Sequence, residues 1–312
     1  MHTIQIIIHV LVAALLPPLL RGVIIKTKAA FAGRVGAPLL QPYYDIIKLM
    51  RKGSVFSTTT TWLFRAGPVV AVATTALAAM MIPFGEPSPS TGERFTPFPF
   101  AGDVILFAYL LGLGRFFMAA AALDTGSSFE GMGTARELTF ACLAEPALFF
   151  GLLVTAKLSK SLTLTDMLGD SLQEHWSDGG ASLVLVLVSW FIVLLVENSR
   201  IPFDDPNTHL ELTMIHEVMV LDHGGPALGM IFYGAAMKLL IFVALIVRIV
   251  MPDHGEGPLW GWLIFLTLSL LVAVAIGVVE SIMARLRMME NFKLLATACV
   301  LSAFGIILQI RN

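Results

Sequence analysis

The sequence predicts an all-α polytopic membrane protein of about eight transmembrane helices, with both termini on the outer, periplasmic side. Three observations lead there. Of 312 residues, 57% are hydrophobic and only 13% charged, whereas soluble domains carry roughly 25% charged residues. The mean hydropathy is +0.83. The apolar residues also gather into runs of about 20, the length a helix needs to cross the hydrocarbon core of a bilayer.

The first run begins at Ile4 and lacks a basic n-region, since His2 is the only ionisable side chain before it. Arg21, Lys26 and Lys28 come after its most apolar part, and no small-residue cleavage pattern intervenes. It therefore reads as a retained span over 4–25 rather than a signal peptide. Pro17-Pro18 should kink it, because proline removes helix hydrogen bonds. Further spans are expected over 61–84, 102–123, 138–158, 181–196, 226–251, 258–284 and 292–310. Arg65, at the start of the second, needs only to snorkel to the interface. Residues 1–312 thus form one transmembrane domain, with nothing suggesting a soluble one. No internal repeat is evident, which argues against an inverted-repeat transporter.

Orientation follows from basic residues near span ends. The first loop holds Lys26, Lys28, Arg34, Lys48, Arg51 and Lys52, and the same side adds Arg136, Arg200, Arg285, Arg287 and Lys293. Opposite lie Arg94, Lys157, Lys160, Arg248 and Arg311. The first loop is therefore expected in the cytoplasm. The loop over 197–225 is long and acidic despite lying on the basic side, which suggests a surface that meets a partner.

Ionisable groups inside a membrane cost about 2.5–3.5 kcal/mol each on insertion scales and mark functional candidates. Arg115, Glu145 and Lys238 fall mid-span, while Glu197 and Glu280 fall at cytoplasmic span ends. Two readings are open for each. One is a buried polar path in which carboxylates exchange protons. The other is a set of structural ion pairs, such as Glu145 with Arg115 or Lys238. Pro146 loosens the backbone beside Glu145 and favours the path there. Arg136 and Glu137 read on residue type alone as a charge pair opening the fourth span.

The stretch 197–206 (ENSRIPFDDP) is dense in charge and proline. Arg200 can pair there with Glu197, Asp204 or Asp205. His209 and His216, seven residues apart in 207–217 (NTHLELTMIHE), share a helix face. A metal would need a third ligand from Glu217, Asp222 or His223, and the spacing is not His-Glu-x-x-His. An interface or proton-relay helix is the expectation, with no metal site. Cys142 and Cys299 sit far apart in apolar stretches and fit neither a disulfide framework nor an iron–sulfur or zinc site.

Several separated stretches resemble the respiratory complex I subunit 1 family, which includes the membrane anchors of formate hydrogenlyases and energy-converting [NiFe]-hydrogenases. The first is 34–49 (RVGAPLLQPYYDIIKL), similar to that family's first cytoplasmic loop. Arg136 followed by Glu145 is similar to the arginine and buried glutamate around its fourth span. Glu197, Arg200, Pro202, Phe203, Asp204, Pro206 and Glu211 resemble its acidic loop between spans five and six. The stretch 280–288 (ESIMARLRM) is typical of the hydrogenase branch. Quinone-reducing members carry a run of glutamates after Pro-Phe-Asp; here Asn207 and His209 replace the first two. With 123–127 (LDTGS), this places the resemblance on the hydrogenase side.

The resemblance implies a membrane subunit with no redox centre of its own, in a bacterial or archaeal cytoplasmic membrane. Its expected partners are the hydrogenase large and small subunits, an iron–sulfur protein and antiporter-like membrane subunits, with no nucleic acid. Iron–sulfur clusters and the [NiFe] centre would lie in those partners. Arg136, Glu145, Glu197, Arg200, Asp204 and Glu211 would belong to an acidic funnel coupling redox events to proton translocation, with Arg115, Lys238 and Glu280 as further candidates. Loops 26–60 and 197–225 would dock the soluble arm through Arg34, Gln41, Asp45, Lys48, His209, His216 and Glu217. The alternatives are a quinone-chamber subunit, a stand-alone secondary transporter and a purely structural anchor.

Overall fold

The computed structural model describes residues 2–85, 96–169, 172, 176–204, 215–251 and 258–311. Among these, every regular element is helical. Eight helices are long and apolar enough to cross a membrane. They are α1 (His2–Phe31), α3 (Trp62–Met81), α4 (Asp103–Asp124), α5 (Ser128–Ser159), α7 (Trp176–Glu197), α8 (Gly225–Val250), α9 (Pro258–Ile282) and α10 (Met288–Arg311). Two shorter ones, α2 (Gln41–Met50) and α6 (Leu164–Met167), sit in the connections.

Span number and order agree with the sequence expectation. The main difference in extent is α5, which starts at Ser128 rather than at residue 138. Its first turns are too polar for a hydropathy window but contain good helix formers, and Glu130 suits a helix N-terminus. These turns lie under the segment 215–220: a Cβ on Gly133 would come within 2.9 Å of the Ile215 carbonyl oxygen.

α1 runs through Pro17 and Pro18 without interruption. Pro18 has no N–H for the Ala14 carbonyl, and the Tyr233 hydroxyl donates to that oxygen at 3.0 Å instead. A neighbouring helix thus supplies the missing donor, as a membrane interior requires.

α8 is the hub. Of its most apolar window 72% is buried, against 22% for α4 and for α10. It packs on α1, α2, α3, α7 and α9, while α5, α7 and α10 form a second packed group. α4 joins the bundle chiefly through α3. Small residues allow that close approach: a Cβ on Gly114 would meet Thr74 Oγ1 at 2.6 Å, and one on Gly67 would meet Ala121 Cβ at 2.7 Å. Contact between α4 and α5 is sparse, and a groove remains between them.

The short turn α6 is held at both ends by buried charged groups. The Asp103 carboxylate accepts the Leu164 N–H at 2.6 Å. Arg248 donates from Nε and Nη2 to the Leu168 carbonyl at 3.2 and 3.1 Å. A negative group at the N-terminus and a positive one at the C-terminus match the helix dipole. Arg248, read from sequence as a loop-flanking charge, is 1% exposed.

Candidate functional site

Four ionisable side chains meet inside the bundle. Arg115 stands midway along α4 and Lys238 midway along α8. Arg115 donates through Nη1 to Glu145 of α5 and through Nη2 to both oxygens of Glu197, at 2.6 and 2.7 Å. Lys238 Nζ reaches Glu197 Oε2 at 2.7 Å. Two cations and two carboxylates balance, which is what makes such a cluster tolerable away from water. Glu197 ends α7, so the chain leaves that helix deep in the bundle.

A cavity of about 100 Å³ adjoins the cluster, walled by Thr74, Glu137, Asn198 and His216 as well as Arg115, Glu197 and Lys238. It has room for several waters and ample polar partners for them. His216 lies outside the spans, and burial lowers its imidazole pKa below 6.5. Glu137 and Asp204 oppose that shift, while Lys238 and Arg21 reinforce it.

A second set of ion pairs lies at the helix ends beside the loop over 26–60. Glu280 of α9 pairs with Lys28 of α1 at 2.8 Å and with Arg200 at 3.4 Å. Asp204 pairs with Arg285 at 3.5 Å and accepts the N–H groups of Ile215 and His216 at 3.0 and 3.3 Å. Among the described residues Arg200 pairs with Glu280; Asp205, one of the partners the sequence offers it, lies outside them. Ser199, at φ 48 in the left-handed region, turns the chain. Glu197 therefore faces inward to Arg115 while Arg200, three residues on, faces α9.

The candidate path residues thus divide. Arg115, Glu145, Glu197 and Lys238 join in one cluster, while Arg200 pairs with Glu280 and Asp204 with Arg285. Arg136 lines a surface groove with Phe140, Met288 and Phe292, whereas Glu137, its neighbour, lines the inner cavity. Adjacent helix residues point about 100° apart, so the two residues line different cavities. Glu211 and His209 lie outside the described residues.

The docking candidates divide as well. Arg34, Asp45 and Lys48 are exposed, and Gln41, partly buried, donates to Asp45 at 2.8 Å. The described part of 197–225 is mostly folded inward: Phe203, Asp204, Ile215, Val218 and Met219 are all buried. His216 lines the cavity beside Glu217, and the two lie in a turn before a short 3-10 helix (Val218–Val220), not in the α-helix expected there. Leu221 and Asp222 face outward.

Sequence reasoning passed over Glu130, which is 1% exposed. One of its oxygens accepts the Thr125 hydroxyl and the other the Asp222 N–H at 3.3 Å. Asp124, beside Thr125, receives the Thr61 N–H and hydroxyl at 2.6 and 2.9 Å. The LDTGS stretch therefore ties α3, α4, α5 and the inner loop together. Three polar residues followed by an acid in a first helical turn were the available signal.

Residues 3–310 match the family model described as NADH dehydrogenase. Over 298 residues the chain is 31% identical to formate hydrogenlyase subunit 4 of Escherichia coli (strain K12), covering 92% of each chain. It is 33% identical over 270 residues to hydrogenase-4 component C of the same organism, covering 86% of this chain and 82% of that one. Identity to an NADH-quinone oxidoreductase subunit of Geobacter sulfurreducens is 25% over 291 residues, covering 78% and 83%. The fold is similar to a chain of the membrane-bound sulfane sulfur reductase, an archaeal respiratory membrane complex. There the TM-score is 0.82 at 22% identity, over 98% of this chain and 99% of that one.

Proposed function

The chain belongs to the NADH dehydrogenase family, and from that premise we propose that it is the membrane anchor and ion-path subunit of a complex-I-like, membrane-bound hydrogenase. It is a multi-pass membrane protein, and its relatives are subunits of multi-subunit hydrogenase or respiratory membrane complexes. In this reading it sits in a cytoplasmic membrane with both termini outside. It binds no redox centre; the iron–sulfur clusters and [NiFe] centre belong to the hydrogenase large and small subunits and an iron–sulfur protein docked on it. Antiporter-like subunits flank it within the bilayer. The loop over 26–60 supplies the broader docking surface, and the outward residues of 197–225 add to it.

The observation that carries this reading is the balanced cluster of Arg115, Glu145, Glu197 and Lys238 beside a cavity that Glu137, Asn198 and His216 also line. A charge change in the docked arm reaches it through His216 and Glu137 on the cavity wall. Moving one proton or repositioning Arg115 shifts the balance between Glu145 and Glu197. The cytoplasmic network of Glu280, Arg200 and Asp204 forms the mouth of the same route.

Purifying the tagged chain in mild detergent tests the proposal. Nickel–iron and iron–sulfur subunits should co-purify, and the preparation should evolve hydrogen from a reduced viologen. A preparation that reduces quinone and makes no hydrogen would favour the quinone-chamber reading, to which the likeness to the Geobacter NADH-quinone oxidoreductase chain lends support.

A further inference from the structure

Glu145 stands in a membrane-crossing helix, yet 44% of its side chain is exposed. Among the described residues its ion-pair partner is Arg115, which approaches Oε1. The exposed side faces the groove between α4 and α5, a volume of about 790 Å³ running along both helices. Tyr109 and Phe116 of α4 and Phe149 and Leu153 of α5 form its lips, and all four are strongly exposed. Gly112 lies between the α4 residues, and a Cβ added to it would touch nothing within 4 Å. Bare backbone of that kind lets another helix come close.

We propose that this groove seats one transmembrane helix of a neighbouring membrane subunit, bearing a hydrogen-bond donor that faces Glu145. Two turns of a helix about 10 Å across occupy roughly 850 Å³, close to the space available. Acyl chains offer no donor to the open side of the carboxylate, and ionised groups facing lipid are strongly disfavoured. A second copy packed symmetrically would set Glu145 against Glu145, since a two-fold interface apposes the same patch to itself. A lysine, histidine or side-chain amide on a different subunit meets the chemistry, and it extends the Arg115 cluster across the subunit boundary. This inference rests on the proposal that the chain works inside a multi-subunit membrane complex.

The test places a photo-crosslinking amino acid at Tyr109 or at Phe149 in the whole complex and irradiates native membranes before solubilisation. The expected product joins this chain to a membrane-spanning segment of a different subunit that contains a lysine, histidine, asparagine or glutamine. Replacing that donor with leucine should lower the Phe149 crosslink several-fold. A Gly112→Trp variant, which fills the groove, should lose the same subunit on purification while keeping the soluble subunits. Adducts to lipid alone, adducts to a second copy, or a mapped segment without a donor would overturn the proposal. A complex whose soluble subunits are not hydrogenases would retire the functional reading and leave the crosslink standing, so the two failures are distinguishable.

Discussion

Glu197 and Glu145 touch the same arginine and should respond to substitution in different ways. Glu197 is 5% exposed and faces two cations. Replacing it with glutamine leaves Arg115 and Lys238 short of a counter-charge in a buried site, and breaking such a pair costs about 3–5 kcal/mol. We expect Glu197→Gln to lower the yield of assembled complex and its melting temperature in detergent. Glu145 is half open and pairs with Arg115, so Glu145→Gln should assemble normally and lose ion translocation coupled to turnover, read as a pH change in proteoliposomes. Coupling that survives the change would make the cluster structural. All four members were legible in the sequence, because a charged residue in an apolar run stands out by its cost. Their pairing was legible only in part: Glu145 with Arg115 is one of the two pairs the sequence suggests, but Glu197 as the shared partner of Arg115 and Lys238 is not. Which carboxylate faces which cation depends on helix rotation and on the end of α7, and one sequence fixes neither. Arg136 shows the same limit, since a one-residue offset on a helix moved the cavity-lining role to Glu137.

At the scale of elements, the segment after Asp204 carries a pH prediction. Burial depresses the folded pKa of His216 below its ordinary 6.5, with Glu137, Lys238, Asp204 and Arg21 as the facing charges. Between the depressed value and 6.5 the unfolded chain binds more protons, so stability rises with pH there. The stabilisation is complete above 6.5 and is lost as pH falls through the folded value. Melting temperatures measured from about pH 8 down to about pH 5 should fall at the acid end, and His216→Gln should flatten that fall. His223, also depressed by burial, would supply what slope remains. A second prediction concerns α6. Arg248→Leu removes two charge-assisted hydrogen bonds from the Leu168 carbonyl, each class worth about 1.5–3 kcal/mol. It should lower the melting temperature and expose 164–169 to proteolysis, whereas Arg248→Lys should recover part of the loss. The spans themselves were legible from apolar run length. The polar opening of α5 and the inward fold of the described part of 197–225 were not, because both are set by packing against distant helices. An acidic loop looks solvated until Asp204 is seen capping the backbone of Ile215 and His216.

Across the whole molecule, the two networks sit at different depths, and their functional sense depends on which end faces the cytoplasm. The exposed loop 26–60 carries six basic residues, and the Lys28–Glu280–Arg200 network closes the same end of the bundle. The connection after α5, with Lys160 and Ser161, lies at the opposite end. Positive charge retained on the synthesis side orients short loops, so the first end is proposed as cytoplasmic. The prediction is direct. In a background with Cys142 and Cys299 changed to alanine, Ser57→Cys should react with a membrane-impermeant maleimide only in inside-out vesicles, and Ser161→Cys only in intact cells stripped of their outer barrier. Labelling in the reverse sense would put the soluble arm and the mouth formed by Arg200, Asp204 and Glu280 on the outside. A cytoplasmic redox partner could then no longer drive the Arg115 cluster through His216, and the coupling proposal would fall even though the fold and the family stood.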